Sequence, residues 1–184
     1  TFELGYPLMT LVYDTLMWRD QRGVPQPWLA RCQQRSRGGR RVTVALRPEA
    51  RWHDGRQVTA QDVAFTLDYL RERPQPRFTP QLADVQRVVV VDRLTVAIDL
   101  RRPSLGFEDQ PLSDVPILPR HLWAGLPASR RAPAGLAVGS GPYRLVSARR
   151  KEGYVLRANE RYFRGAPRVD ELRVPIIGDL ERTF

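Results

Sequence analysis

The sequence predicts a mixed α/β (α+β) fold made of antiparallel hairpins and a few helices. Three observations predict it. Val42, Val44 and Leu46 alternate with Thr43, Ala45 and Arg47. Leu94, Val96, Ile98 and Leu100 alternate with Thr95, Ala97 and Asp99. Both runs show the two-residue period of half-buried strands. Behind Thr59, by contrast, Val63, Phe65 to Leu67 and Leu70 recur at helical spacing.

Along the chain, Leu8, Leu11, Val12 and Leu16 share one face of a helix, which Gly23, Pro25 and Pro27 break. A strand is expected from about Trp28 to Gln34. Gly38-Gly39 turns it into the alternating strand that begins at Val42. Asp54-Gly55 is a turn, since glycine takes positive φ without penalty. Thr59 and Asp62 have capping-box spacing and open the helix that Pro74 and Pro76 end. Pro74 to Pro80 reads as a stiff linker. Val85–Val91 and Leu94–Leu100 form a hairpin, and residues 101–138 are irregular with one short helix after Pro119. After the break at Gly139-Ser140-Gly141-Pro142 come a hairpin of Tyr143–Ala148 with Tyr154–Ala158, a buried strand at Leu172–Ile177, and a helix starting at Asp179.

Composition narrows the function classes. The 184 residues are 42% hydrophobic and 27% charged, which excludes a wholly disordered or fibrous chain. No apolar run reaches the roughly 18–20 residues of a membrane span. The first residues show no charged-then-apolar leader, and any signal peptide is expected to have been removed. Net charge is +10 and pI about 10.8. Lys151 is the single lysine among 30 basic residues. A nucleic-acid surface usually mixes lysine and arginine, so near-exclusive arginine reads as coding bias, and no nucleic-acid partner is expected. Arg31 to Arg41 reads as a solvated turn, with anion or partner binding as the alternative. Cys32 is alone, which excludes an internal disulfide and leaves a thiol expected to be buried. His53 and His121 are too few and too far apart for a zinc site, so no metal is expected.

Candidate chemistry has structural alternatives. His53-Asp54 could act as an acid–base pair with Ser140 as nucleophile, but turn chemistry alone explains all three residues. Gly139-Ser140-Gly141 lacks the Gly-Lys-Ser/Thr ending of a phosphate loop, and Pro142 has no N–H to donate. Most of the aromatic side chains are expected in the core.

Particular words carry a resemblance. Val12-Tyr13-Asp14-Thr15-Leu16, Pro27-Trp28-Leu29-Ala30, Leu46 through Gly55 with Trp52-His53-Asp54-Gly55 at its end, and Val58-Thr59-Ala60-Gln61-Asp62-Val63-Ala64-Phe65 occur in order. Gly139-Ser140-Gly141-Pro142-Tyr143-Arg144-Leu145, Asn159 through Pro167, and Asp170 follow. This set resembles the family-5 extracellular solute-binding proteins, the receptors of dipeptide, oligopeptide and nickel ABC importers. The usual threonine between the two glycines is Ser140 here, which keeps the hydroxyl. Family members are longer, three-lobed chains, so the sequence resembles their N-terminal part.

The resemblance implies a type-2 periplasmic-binding-protein-like fold, partial, with an inserted smaller lobe. Residues 1–40 and 139–184 would form one lobe and 41–138 the insert. It implies a binding module rather than an enzyme, without cofactor or metal. Such a module captures a peptide or similar solute, delivers it to an ABC permease, and is expected to be a monomer. It would sit at the periplasmic or extracellular face of the cytoplasmic membrane, with a lipid anchor as an option. The alternative is the solute-sensing domain of a transcriptional regulator. Glu3 to Leu8 would lie at the cleft, offering backbone groups to an extended ligand in the manner of an added strand. The implied ligand residues are Gly5, Tyr6, Pro7, Leu8, Ser140 and Tyr143, and Gly139 and Gly141 are the implied hinge.

Overall fold

The computed structural model describes residues 5–126, 137–149 and 152–176. The described residues open with helix α1 (Tyr6–Val12), then a short ribbon of β1 (Met17–Arg19) and β2 (Pro25–Pro27). Strands β3 (Ala30–Arg35) and β4 (Arg41–Leu46) form a hairpin, followed by helix α2 (Ala60–Glu72) and a 3₁₀ turn at Thr79–Leu82. Next come β5 (Val85–Val90), β6 (Thr95–Leu100) and the short helix α3 (Arg120–Trp123). A three-stranded sheet of β7 (Tyr143–Arg149), β8 (Gly153–Ala158) and β9 (Glu171–Pro175) completes the described chain.

The larger sheet has the order β3-β4-β6-β5, antiparallel throughout. Its alternation decides which face is buried. Val42, Val44 and Leu46 of β4 and Val96, Ile98 and Leu100 of β6 are at most 2% exposed. They lie in one core with Val63, Leu67 and Leu70 of α2, which packs over β5 and β6. Arg41 and Asp99, paired across β4 and β6, mark the solvent face. Asp62 starts α2 by accepting the Thr59 N–H (2.9 Å) and hydroxyl (2.8 Å). Its other oxygen accepts the Arg120 N–H at 2.9 Å, so one carboxylate anchors the starts of α2 and α3.

Four sequence expectations change. The helix ends at Val12, where Tyr13 turns extended, and residues 13–16 run buried outside any helix. Their backbone is claimed from two sides: Thr15 and Leu16 carbonyls accept the N–H groups of Leu29 and Ala30, and the Asp14 carbonyl accepts that of Ile117. Tertiary pairing overrides the helical period there. Pro25 and Pro27 form β2, tolerated because a two-stranded ribbon leaves an edge on which a missing N–H costs little. Cys32 is exposed on β3, not buried. Strand β9 is a half-exposed edge strand rather than a buried one. Ile177 and the helix start expected at Asp179 lie outside the described residues. The lobe boundary expected between residues 40 and 41 falls in the turn joining β3 to β4, two strands paired from Ala30–Leu46 to Arg35–Val42.

Candidate functional site

Two polar constellations tie distant segments together. The first surrounds the crossover at Gly139–Pro142. Ser140 is fully buried, and its hydroxyl donates to Asp14 Oδ2 at 2.9 Å. Asp14 Oδ1 accepts Trp28 Nε1–H and the Tyr162 hydroxyl, each at 2.8 Å. Burial pushes the Asp14 carboxyl up to about 6, against the downward pull of these three donors.

The flanking glycines are dictated by contact with the end of α1. Gly141 N–H donates to the Val12 carbonyl at 2.9 Å. A Cβ at Gly139 would lie 1.7 Å from that same oxygen, and one at Gly141 2.6 Å from the Leu11 carbonyl. His53 closes the knot. Its N–H donates to the Gly139 carbonyl at 2.8 Å, while its Nδ1 accepts the Gly139 N–H at 3.2 Å. Nε2 stands 3.0 Å from the Gly141 carbonyl, an acceptor, so Nε2 carries the proton. Burial lowers the imidazole to about 4, which keeps it neutral. Both ring nitrogens of His53 and the hydroxyl of Ser140 are thus committed to structural partners, and no hydrogen bond joins these two side chains. Tyr143 is buried as well, donating its hydroxyl to the Val169 carbonyl at 3.1 Å.

The second constellation lies at the start of α1. From Gly5 onward, the segment expected to offer backbone groups to an extended ligand enters a helix. Gly5 caps α1, and its carbonyl accepts the Leu8 and Met9 N–H groups. Pro7 favours this outcome, because proline fits the first helical turn, where its missing N–H has no partner to lose. Glu3 and Leu4 lie outside the described residues. Gly5 and Pro7 are exposed, and Tyr6 and Leu8 half-buried.

The Tyr6 hydroxyl donates to Asp114 Oδ1. Arg77 donates to the same oxygen at 3.1 Å, and its guanidinium carbon stands 3.5 Å from the Tyr6 ring centroid. Gln81 Nε2 donates to Asp114 Oδ2 at 2.6 Å. Burial alone would raise the Asp114 carboxyl, but the donors Tyr6, Gln81 and Arg77 outweigh it and hold the group below the usual carboxylate range. Burial, and then the bond to Asp114, raises the Tyr6 phenol. The Asp114 side chain is 7% exposed and that of Arg77 51%. The cluster therefore presents a fixed cation at the surface, backed by a buried anion and an aromatic ring. Guanidinium donors not used on Asp114 can meet a carbonyl or carboxylate. Of these four residues the sequence pointed only to Tyr6. Arg77 sits in the proline-bounded linker and Asp114 in irregular chain, where no period marks them.

Comparisons with known proteins agree with this architecture. Residues 24–183 match the profile of the bacterial extracellular solute-binding proteins, family 5 Middle. A Brucella ovis protein named as an ABC transporter peptide-binding protein is 34% identical over 128 residues, covering 67% of this chain and 24% of its own. The oligopeptide-binding protein AppA of Bacillus subtilis is 26% identical over 193 residues, covering 97% of this chain and 34% of its own. The chain thus spans about a quarter to a third of the length of these relatives. NikZ of Campylobacter jejuni, solved in complex with Ni(L-His), superposes with a TM-score of 0.84 at 26% identity, over 91% of this chain and 34% of NikZ. The ordered words from Pro27-Trp28 to Asp170, the hairpin sheet under α2 and the profile match all point the same way: this chain belongs to the family-5 bacterial extracellular solute-binding proteins.

Proposed function

We propose that the chain is the front portion of the substrate-binding component of an ABC importer, capturing a peptide or similar solute outside the cytoplasmic membrane. The observation that supports this best is the Tyr6–Arg77–Asp114 cluster, which holds a half-exposed guanidinium beside exposed Gly5 and Pro7. A peptide offers the carbonyls and terminal carboxylate that such a group binds. The family is one of solute-binding receptors rather than enzymes. The solute, the permease partner, the monomeric state and any lipid anchor belong to this reading. Ser140 and Tyr143 enter it as supports of the binding segment, since both are buried.

In this reading the molecule has two lobes that close on solute. The β3–β4 pairing favours placing β3 with the insert of 41–138, against the segment of residues 139–184 and the chain start. Gly139 and Gly141 form the crossover, which acts as a hinge that ligand shifts toward a closed population.

The test is calorimetric titration of the full-length protein with di- and oligopeptides, nickel chelates and oligosaccharides. Arg77→Gln is expected to weaken binding of the preferred solute by at least tenfold, the scale of a lost charge-assisted hydrogen bond. No heat with any of these solutes would overturn the receptor reading. Unchanged affinity in Arg77→Gln would overturn the assignment of the site.

A further inference from the structure

The run from Arg31 to Arg41 has a part that no solute site uses. The turn at 36–40 and the segment at 100–105 meet at one end of the larger sheet. Leu100 N–H donates to the Arg40 carbonyl at 2.7 Å, and Arg35 donates to the Ser104 carbonyl. A Cβ at Gly39 would lie 3.2 Å from the Pro103 Cβ, so the two segments are in contact.

Seven arginines meet three carboxylates here. Arg35 pairs with Glu108, Arg102 with Asp84, and Arg41 and Arg87 share Asp99. Among the described residues, Arg37, Arg40 and Arg101 have no ion-pair partner, and all three are exposed. The pairs leave a surplus of cations at the sheet end, and the three guanidinium groups without a carboxylate project a net positive field. Leu105, next in the chain to the Ser104 that accepts from Arg35, is 93% exposed, the most exposed of the large hydrophobic residues described.

We propose that this sheet end, Arg37, Arg40, Arg101 and Leu105, is a docking surface for the anionic headgroups of a lipid bilayer. Basic residues near an anionic surface attract it electrostatically, and an apolar side chain among them gains by entering the headgroup–acyl boundary. A nucleic-acid groove would place aromatic side chains among the cations as stacking platforms, and the residues from 36 to 40 and from 100 to 105 include none. A site for free phosphate would have no use for an exposed leucine. The surface would hold the protein close to the membrane that its family serves from outside, and it is independent of which solute is bound.

The experiment is co-sedimentation of the full chain with vesicles of phosphatidylglycerol and phosphatidylcholine, against vesicles of phosphatidylcholine alone. Binding is expected only to the anionic vesicles, and it should weaken as salt rises. Replacing Arg37, Arg40 and Arg101 together by serine should lower it on the order of a hundredfold, at roughly fivefold per cation. Leu105→Trp gives a second readout that needs no loss of function: its emission should shift to the blue with anionic vesicles. Equal binding to both vesicle types, an unaffected triple variant or an unshifted Trp emission overturns the proposal. Displacement from the vesicles by millimolar inorganic phosphate would identify a free-phosphate site instead, and tighter arginine-dependent retention on duplex DNA a nucleic-acid surface. Either outcome also overturns it.

Discussion

The hydroxyl of Ser140 donates to the carboxylate of Asp14 at 2.9 Å across 126 residues of chain. This bond, with those from Trp28 and Tyr162 to the same carboxylate, joins the chain start, the residue leading into β3 and the segment after β8. Asp14 and His53 are both buried at this knot, and burial shifts the two groups in opposite directions.

Asp14 has its carboxyl raised to about 6, so its contribution to stability is fully present below its ordinary value near 4 and is lost as pH rises through 6. His53, lowered to about 4, contributes above its ordinary 6.5 and loses that contribution as pH falls through 4. Each limb is worth about 3 kcal/mol, and between pH 4 and 6.5 the two slopes oppose. Urea unfolding of Asp14→Asn across this range should uncover the His53 limb, with stability falling toward acid. His53→Gln should uncover the opposite slope. Parallel pH profiles for the two variants would refute the assignment.

Glycine is required at the crossover by contact, not by φ. Gly139→Ala sets a methyl against the Val12 carbonyl and should cost about 3 kcal/mol or more. Gly55→Ala offers the contrast: φ is +89° with open space around it, so the cost should be only about 1 kcal/mol. Thermal unfolding of the two variants measures the difference.

Asp62→Ala strips an acceptor from Thr59 and from Arg120 and should destabilise by about 2 kcal/mol. Asp68, on the same helix, has a half-exposed side chain and, among the described residues, pairs only with Arg71, so Asp68→Ala should stay within about 0.5 kcal/mol. Equal effects in denaturant titrations would contradict the anchoring role of Asp62.

At the candidate site, Tyr6→Phe keeps the ring beneath Arg77 and removes one of three side-chain donors to Asp114. About 1 kcal/mol of stability should be lost. Arg77→Met leaves a nearly buried carboxylate without its cation, and its larger cost should shrink as Asp114 is protonated in acid. A cost for Arg77→Met that does not vary with pH would count against this ion pair.

What the sequence determined by itself was local. Strands β4 and β6 and the capped start of α2 follow from periods and caps spanning a few residues, because alternation and a Thr–Asp spacing act through neighbouring backbone alone. The turn at Asp54-Gly55 is of the same kind, with Gly55 at positive φ. The words that carry the family resemblance were legible too, yet their roles were not. Ser140 and Tyr143 carry chemistry-bearing hydroxyls, and only the fold shows that these are committed inside.

Tertiary structure alone decided the rest. Residues 13–16 share the period of α1 but are held out of the helix by partners near residues 29 and 117. Tyr6, Arg77 and Asp114 have no common spacing and meet only because the start of α1 packs beside the chain that follows α2 and the irregular segment before α3. Hydrogen bonds and charge pairs are satisfied by whatever the fold brings within about 3 Å, and separation along the chain carries no record of that distance.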